Sequence, residues 1–288
     1  MSEVDRGSTG YPSALEELPD PPASLHLRSP ADSERLVVLL QSPAVAIVGS
    51  RRASEAGAAF AHRVARGLAR AGVAVVSGLA RGIDGAAHAG ALEAGGRTVA
   101  VLGCGIDVDY PRSNAALAAR IATAGAVISE YGPGVSPAPW RFPARNRIVA
   151  ALADAIVVIE ASRTSGALIT AGFGLELGRE VLAAPASPWV EAAAGANALL
   201  RDGATPITCV EDVLVSLGID PAKAAGPVVD DLSGDAGRLL AAIHRAPATP
   251  DRLGARLSFA PARVAAAVTE LELVGAIGRE ADGSLVAL

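Results

Sequence analysis

Short runs of apolar residues alternate along most of the chain with longer segments in which apolar residues recur every three or four positions. The short runs read AVAIVG, GVAVVSG, RTVAVLG, GAVISE, AIVVIE and EVLAAP, and the segments between them include AAFAHRVARGLARAG and ALITAGFGLELGRE. Continuous apolar runs are typical of strands buried on both faces, and the longer spacing is typical of amphipathic helices. Residues 44–218 are therefore predicted to form a doubly wound, mostly parallel α/β domain.

The two ends of the chain lack this alternation of apolar runs and helical patterns. Residues 1–43 contain the turn-forming stretches YPS, PDPP and RSP around one short helical piece, which predicts an N-terminal arm or linker. Residues 219–232 are predicted to form a second linker. Residues 233–288 contain three helical patterns followed by two strand-like pieces about an Asp-Gly turn, which predicts a small winged helix-turn-helix domain.

Composition sets limits on the function. With 288 residues, of which 51% are hydrophobic, the chain can bury a full core, and its net charge of −5 gives no global positive field for nucleic acid. Cys104 and Cys209 are far apart and have no Cys or His at metal-ligand spacing, so we expect neither a disulfide nor a metal site. The N-terminus lacks a signal-peptide pattern, and no apolar run is long enough to span a membrane. We therefore expect a cytoplasmic protein without membrane contact.

Glycine and small polar residues follow four of the predicted strands. In an open parallel sheet, ligands bind beyond the carboxyl ends of the strands, where loops lead into helix N-termini. Glycines allow the backbone to approach a ligand closely, and the free amides of the next helix can bind an anion. Such turns favour glycine on their own account, so it is the occurrence of four at one edge that predicts a phosphate-binding rim. The residues concerned include Gly49, Ser50, Arg51, Ser77, Gly78, Ser165 and Gly166.

Several familiar sites are excluded by their missing residues. A dinucleotide-binding fingerprint needs an acid at the end of the second strand, where this chain has Ser77. A phosphate-loop NTPase needs a lysine in its glycine-rich loop, whereas the one lysine of this chain, Lys223, lies in the predicted linker. Serine-hydrolase chemistry is disfavoured because no serine has a paired histidine pattern. Asp84 is expected to cap a helix or pair with an arginine. We expect no catalytic residue and no cofactor.

The stretch WRFPARNRIVAAL, residues 140–152, concentrates arginine and aromatic side chains. Pro143 is expected to end any preceding helix, so that a new helix starts in RNRIVAAL and brings several basic side chains and an amide to its N-terminus. Basic groups there oppose the helix dipole unless an anion binds nearby. The residues gathered in this way are Arg141, Arg145, Asn146 and Arg147.

Four of the chain's aromatic residues, Tyr110, Tyr131, Trp140 and Phe142, also fall close together in sequence. Interleaved arginines and aromatics suit single-stranded nucleic acid, whose backbone needs positive charge and whose unstacked bases need flat partners. Trp140 and Phe142 can equally be loop anchors that pack on the sheet.

Five segments in order, GSR, SGLARGIDGAAH, FPARNRIVAAL, IVVIEASRTSGALITAGFGLELGREV and GANALLRDGA, together resemble the DprA/Smf family of DNA-processing proteins over residues 44–218. The resemblance implies an extended Rossmann-like domain without enzyme activity, which binds and protects single-stranded DNA, forms a homodimer and loads the RecA recombinase on incoming DNA during natural transformation. It implies a DNA-binding pocket on Gly49, Ser50, Arg51, Ser77, Gly78, Arg141, Phe142, Arg145, Arg147, Ser165 and Gly166, to which the helix start adds Asn146.

The chain departs from the family pattern at three places. Its YPxxL element, Tyr11–Leu15, stands almost at the first residue, so we expect the helical domain that many members carry before it to be missing. After EVLAAP the family usually has Pro-Gly, whereas this chain has Pro185-Ala186. The candidate recognition helix APARVAAAVTELEL has one arginine against two glutamates. A protein that reads duplex DNA normally has a basic excess there, so we expect a protein-contact or auxiliary role for the winged helix.

Two alternatives remain open. The glycine-rich rim with Glu160 resembles, more distantly, enzymes that cleave a base from a ribose phosphate, but the loop EASRTSGALIT lacks their Pro-Gly-Gly-x-Gly-Thr pattern. The second alternative is a binding protein that senses a free nucleotide and recruits a partner through the winged helix. Turnover of nucleoside monophosphates would support the enzyme, and tight nucleotide binding without oligonucleotide binding would support the sensor.

Overall fold

Strands and helices alternate through most of the molecule and form two units in the computed structural model, Met1–Ala224 and Ala225–Leu288. The structure describes residues 1–28, 36, 39, 40, 42–224, 234–246, 248–273, 276–280 and 283–287. The strands described in the first unit are β1 Ser2–Asp5, β2 Ser24–Arg28, β3 Ala44–Gly49, β4 Ala74–Ser77, β5 Thr98–Leu102, β6 Ala126–Ser129, β7 Ala155–Ile159, β8 Glu180–Ala183 and β9 Thr205–Pro206.

Helices connect these strands. The α-helices described in the first unit are α1 Glu55–Arg70, α2 Ile83–Glu93, α3 Ala115–Ala124, α4 Arg141–Ala151, α5 Gly166–Glu176, α6 Ala194–Arg201, α7 Val210–Ser216 and α8 Pro221–Ala224. Short 3-10 helices span Ser13–Glu17, Arg112–Asn114 and Glu191–Ala193.

The strands lie in the order β1-β2-β6-β5-β4-β3-β7-β8-β9. All neighbours from β6 to β9 pair in parallel, while β2 pairs antiparallel with β6 and β1 antiparallel with β2. The chain therefore winds in one direction from β3 to β6 and in the other from β7 to β9. This confirms the predicted doubly wound α/β fold and places the switch of direction between β3 and β7. Ligands of open α/β sheets bind at such a switch.

Alternating residues of the central strands pack on opposite sides of the sheet. In β3, Val45 and Ile47 belong to one buried apolar cluster, and Ala46 and Val48 belong to the other. Because both faces are buried, the strand needs an unbroken apolar run, which is the pattern that the sequence analysis used.

Helix α1 shows how the local sequence sets an element. Its N-cap residue Ser54 accepts a hydrogen bond from the Gly57 amide through its side chain. Glu55 in the first turn and Arg70 in the last complement the helix dipole. The apolar residues Val64 and Leu68 face the sheet, because a spacing of four returns to the same side of a helix. The capped helix therefore holds a fixed position beside the carboxyl end of β3.

The N-terminal segment differs from the predicted arm, because two of its stretches are strands of the sheet. Within β2, Leu25 and Leu27 are buried, while His26 and Arg28 alternate with them and are only partly buried. Arg28 ties the strand to the loop after β5, since its guanidinium donates to the Ile106 carbonyl at 2.9 Å. The turn formers of this segment therefore connect edge strands.

Three helices and a hairpin are described in the second unit. They are α9 Asp235–Arg245, α10 Pro250–Leu257, α11 Pro261–Leu273, β10 Ile277–Arg279 and β11 Leu285–Ala287. Leu239, Leu253 and Leu271, one from each helix, are fully buried in a common core with Ile277 and Leu285 of the hairpin. These are the elements predicted for a winged helix. Of the predicted linker, residues 225–232 lie outside the described residues.

Candidate nucleic-acid interface

A cavity of about 450 Å³ opens at the carboxyl ends of β3 and β4, between the N-terminal parts of α4 and α5. It lies at the switch point between β3 and β7, where the topology predicts a ligand. Its lining is Val48, Gly49, Ser50, Arg51, Arg52, Gly78, Ala80, Asp84, Phe142, Pro143, Arg145, Asn146, Val149, Ser162, Ser165, Gly166, Ala167 and Thr170. Nine of the twelve residues predicted from the sequence are in this lining: Gly49, Ser50, Arg51, Gly78, Phe142, Arg145, Asn146, Ser165 and Gly166.

Gly49 allows the loop after β3 to turn tightly against the neighbouring strand. A side chain at this position would overlap the Ile159 carbonyl oxygen of β7. The next amide, Ser50 N–H, donates to the Glu160 carbonyl at 2.8 Å, and the Ser50 hydroxyl accepts from the Arg52 amide at 3.1 Å. These bonds fix the direction in which Arg51 leaves the sheet edge.

Arg51 is the exposed cation at the mouth of the cavity. Its guanidinium carbon lies 5.2 Å from the centre of the Phe142 ring. Within the described part of the chain, this guanidinium has no hydrogen-bond or ion-pair partner among the side chains and carbonyls. Phe142 packs in turn against Gly103, where a β-carbon would lie 2.8 Å from its ring. Arg51 is therefore positioned by an aromatic ring while its N–H groups are available to an anion.

Arg145 has the opposite environment, since its guanidinium is buried below the cavity. Its Nη1 donates to the carbonyl of Gly78 at 2.8 Å and also to the carbonyl of Val101, and its Nε donates to the side-chain oxygen of Asn146 at 3.3 Å. Burial lowers the pKa of Arg145 to about 10, partly offset by the charge of Asp84. Arg145 stays protonated at neutral pH and supplies positive charge to the cavity floor.

Asp84 lies in the first turn of α2 and is also buried at the floor of the cavity. Its carboxylate accepts a hydrogen bond from the Ala80 amide at 3.3 Å. Burial raises the pKa of Asp84, while the positive charge of Arg145 acts to lower it. Asp84 was expected to cap a helix or pair with an arginine; it accepts from the Ala80 amide before α2 and has no salt bridge with an arginine among the described residues, so its interaction with Arg145 is one of charge only. The single carboxylate offsets one of the cations, so Arg51 and Arg52 at the rim leave the cavity positive.

The start of α5 forms the opposite wall. Ser165 is its N-cap and accepts a hydrogen bond from the Ala167 amide at 3.3 Å. Asn146 of α4 donates to the Gly166 carbonyl at 3.1 Å and so joins the two helices across the cavity. A β-carbon on Gly166 would meet no atom within 4 Å, so the backbone there is accessible. Free amides at a helix N-terminus attract anions.

Helix α4 begins earlier than predicted. It starts at Arg141, and Pro143 is its third residue rather than a break before it. Proline is tolerated in the first turn because the N–H groups of that turn have no partner within the helix. Arg141, and not Arg145, is therefore the first helical residue.

Three residues from the predicted set do not reach the cavity. The Ser77 hydroxyl is buried and donates to the Ile47 carbonyl at 2.6 Å, which joins β4 to β3. Arg141 donates to the Ser136 carbonyl and lies over Tyr131 and Trp140. Arg147 pairs with Glu130 at 2.8 Å and is only 13% exposed. These side chains hold the sheet, the loop after β6 and the body of α4 in place.

The cavity also contains residues that were not predicted as site residues from the sequence. Arg52, Asp84 and Thr170 line it. Thr170 follows Gly166 by four positions, so the helix period could have identified it. Arg52 stands next to Arg51, and only the observed turn brings both side chains to the rim.

The described residues give no sign of a metal centre or a membrane segment. No group of three or more potential metal-ligating side chains lies together in these ranges. Among the helices of the same ranges, none is long and apolar enough to cross a membrane.

Comparison with known proteins matches both units. A family model for DNA recombination-mediator protein A matches residues 4–218, and a model for the DprA winged helix domain matches residues 221–283. Protein Smf of Synechocystis is 35% identical over 94% of this chain and 76% of its own length.

Solved structures agree with these matches. DNA processing protein A (DprA) of Streptococcus pneumoniae has a TM-score of 0.69 and 42% identity, covering 74% of this chain and 73% of that one. DNA processing protein A of Helicobacter pylori, whose structure concerns its single-stranded DNA binding mode, has a TM-score of 0.66 and 31% identity over 75% of this chain and 94% of that one. The chain thus belongs to the DNA recombination-mediator protein A family and ends in a winged helix domain of the DprA type.

Proposed function

We propose that this protein binds single-stranded DNA at the cavity between β3, β4, α4 and α5. The observation that carries the proposal is the environment of Arg51, an exposed guanidinium held over Phe142 beside the exposed backbone of Gly166 at the start of α5. Such a site offers charge and hydrogen-bond donors to phosphate oxygens. The Helicobacter pylori relative, described by its single-stranded DNA binding mode, supports the same ligand.

A single strand fits the site better than a duplex. Its phosphates can enter a cavity at a sheet edge, and its unstacked bases can contact the aromatic residues of the rim. Contacts with phosphate carry no base information, so binding is expected to depend little on sequence.

The geometry favours binding over catalysis. Glu160, the glutamate on which the base-cleaving alternative depends, accepts hydrogen bonds from the backbone amide and the hydroxyl of Ser54 at 2.8 and 3.1 Å. It therefore caps α1 and is not in the lining of the cavity that holds Arg51. We propose that the protein has no enzymatic activity of its own.

We further propose the cellular role that the family resemblance implies. The protein would act as a homodimer, protect incoming single-stranded DNA and load RecA on it during natural transformation. In this proposal residues 44–218 carry the DNA-binding function, while residues 233–288 contact a protein or assist weakly. The exposed side chains of α11 support that division, since Ala262, Ala265 and Glu270 bring no positive charge and the exposed Arg263 is paired with Asp235.

The experiment that tests the proposal compares labelled oligo-dT with a matched duplex across a salt series. Arg51→Ala is compared with Arg201→Ala, which removes an exposed arginine paired with Asp202 away from the cavity. We expect preferential single-strand binding that weakens with salt and is strongly reduced by Arg51→Ala alone. Absence of oligonucleotide binding at low salt, together with tight binding of free thymidine monophosphate, would replace the proposal with the nucleotide-sensor alternative.

A further inference from the structure

Trp140 presents a large aromatic surface to solvent just outside the cavity. Its side chain is 62% exposed, although the residue directly precedes α4. The Arg141 guanidinium lies 4.8 Å from its ring centre, and the Tyr131 ring meets it edge to face at 6.5 Å. A ring supported in this way has a defined orientation and retains accessible aromatic surface.

Arg141 acts as a support for this ring rather than as a phosphate ligand. Its Nη1 donates to the Ser136 carbonyl, and its Nε is buried without a hydrogen-bond partner in the described residues. The same guanidinium lies 5.1 Å from the Tyr131 ring centre. Tyr131, Arg141 and Trp140 together form a cluster, which we call the distal aromatic cluster.

The cluster continues the rim in the direction away from α5. Tyr131 follows β6 by two residues, Phe142 packs on Gly103 directly after β5, and Arg51 follows β3 by two residues. Since the sheet order is β6-β5-β4-β3, these groups mark successive positions along one edge. Three strand spacings of about 4.8 Å separate β3 from β6, a total of about 14 Å. This corresponds to the rise of roughly four stacked nucleotides at about 3.4 Å each.

Phe142, between these two ends, is already engaged by protein groups. Arg51 lies 5.2 Å from its ring centre, and the Tyr110 ring lies at the same centroid distance with a tilt of 31°. Between β3 and β6, Trp140 is therefore the large aromatic side chain with the most accessible surface, since Tyr110 is 41% exposed; Trp189, in the loop after β8, lies on the other side of the switch point.

We propose that Trp140 stacks a base of the single strand a few nucleotides from the phosphate that Arg51 holds. This inference rests on the proposed single-strand binding, and it adds a direction: the strand leaves the cavity over β4 and β5 towards β6. Trp140 does not increase the affinity for a strand that is too short to reach the distal aromatic cluster. A longer strand binds more tightly because one of its bases stacks on Trp140.

Tryptophan emission tests the proposal directly, because the chain contains two tryptophans and the other, Trp189, is 93% exposed in the loop after β8. In a Trp189→Phe variant, Trp140 is the sole tryptophan. We expect its emission to change when an oligo-dT of about eight nucleotides binds, and to change little with a dinucleotide.

Affinity measurements provide the second readout. Trp140→Leu should weaken binding of the longer oligo-dT about five-fold or more, since a stacked base contributes on the order of that factor. Trp140→Phe should largely restore binding, because it keeps a flat ring. Trp189→Ala is the matched control, because it removes an exposed tryptophan that follows β8, on the side of β3 away from the path over β4 and β5, and it should leave the affinity unchanged. Thermal unfolding of each variant is the control for folding, and we expect melting temperatures close to that of the unmodified protein because the substituted side chains are exposed.

The outcomes separate this inference from the proposal on which it rests. If Arg51→Ala weakens binding while Trp140→Leu changes neither the affinity nor its dependence on oligonucleotide length, the proposed path over β4 and β5 is wrong. The proposed binding of single-stranded DNA at the cavity is then retained. If the unmodified protein binds no oligo-dT at low salt, the proposed function fails and the role of Trp140 fails with it.

Discussion

The Arg145 guanidinium lies directly against the α-carbon of Gly78, so closely that a methyl group on Gly78 would overlap it. Arg145 Nη1 also donates to the Gly78 carbonyl at 2.8 Å. The cation below the cavity is therefore positioned by a residue that has no side chain.

Gly78→Ala should displace Arg145 and disturb the cavity floor. We expect a loss of stability of about 1–3 kcal/mol from overpacking. Oligo-dT affinity should fall about ten-fold, which corresponds to about 1.4 kcal/mol. Denaturant unfolding and fluorescence anisotropy measure the two effects. Gly172→Ala is the control, since a β-carbon at that position of α5 meets no atom within 4 Å. Equal affinity in the two variants would show that the position of Arg145 does not matter for binding.

Arg51→Ala and Arg147→Ala should differ in how binding depends on salt. Arg51 has no hydrogen-bond or ion-pair partner within the described residues, whereas Arg147 is paired with Glu130 and donates to the Asp20 carbonyl at 3.2 Å. Loss of one phosphate contact reduces the slope of log affinity against log salt by about 0.7 for a single strand. We expect that reduction for Arg51→Ala only, while Arg147→Ala lowers stability and keeps the slope. If Arg147→Ala also reduced the slope of log affinity against log salt, Arg147 would contact a phosphate, as the sequence analysis predicted.

Arg145→Ala should be costly because it leaves the Asp84 carboxylate buried without its cation. Breaking a buried salt bridge costs about 3–5 kcal/mol, and the measured loss should lie below that range because Arg145 and Asp84 interact through their charges without a salt bridge among the described residues. Adding Asp84→Asn to Arg145→Ala should recover part of the loss, since the neutral amide needs no counter-charge. A double-mutant cycle by urea unfolding measures the coupling, and strict additivity would contradict it.

His88 should make the protein acid-sensitive. It is fully buried, and its Nδ1 lies 2.7 Å from the Thr98 hydroxyl, which itself donates to the Val75 carbonyl. Thr98 must therefore accept from His88 Nδ1–H, and the other ring nitrogen, Nε2, is buried without a hydrogen-bond partner in the described residues. Burial, assisted by the charge of Arg145, lowers the pKa of His88 to about 3 from the ordinary value of 6.5.

Because the folded pKa of His88 is lower than the unfolded one, its stabilising contribution is complete above pH 6.5 and is lost as pH falls towards 3. The slope should be about 1.4 kcal/mol per pH unit within that window. His88→Asn, which cannot titrate, should flatten the dependence of unfolding free energy on pH between those limits. Parallel curves for the two proteins would show that His88 is not buried in neutral form.

Part of the candidate site could be predicted because each buried strand is an apolar run, and the end of that run marks the end of the strand. Gly49, Ser50 and Arg51 follow an apolar run, so their place at the sheet edge needs no tertiary information. Arg145 and Arg147 were predicted together, yet residues two apart on a helix do not share a face. The helix period alone could have separated the buried cation of the cavity from the partner of Glu130.

Other features could not be read from the chain. Ser77 and Gly78 are neighbours at the end of the same apolar run, so the sequence places both at the sheet edge. In the structure the Ser77 hydroxyl donates to the Ile47 carbonyl of the adjacent strand. Strands β1 and β2 are short, and β6, with which β2 pairs, is about a hundred residues away in the chain. The alternation SLHLR is their one local signal, since it places Leu25 and Leu27 on one face.

The sequence by itself determined the alternation of strands and helices from residue 44 onwards, the parallel winding and the sheet edge at which a ligand is expected, because burial on two faces imposes apolar runs and turns impose glycine. Only the tertiary structure decided which cations are available to that ligand. The tertiary structure distinguishes four arginines that are chemically alike in the sequence. Arg51 is an exposed rim cation, Arg141 supports Trp140, Arg145 is a buried charge at the cavity floor, and Arg147 is the ion-pair partner of Glu130. Their surroundings come from residues far apart in the chain, and those surroundings set desolvation, hydrogen bonding and pairing.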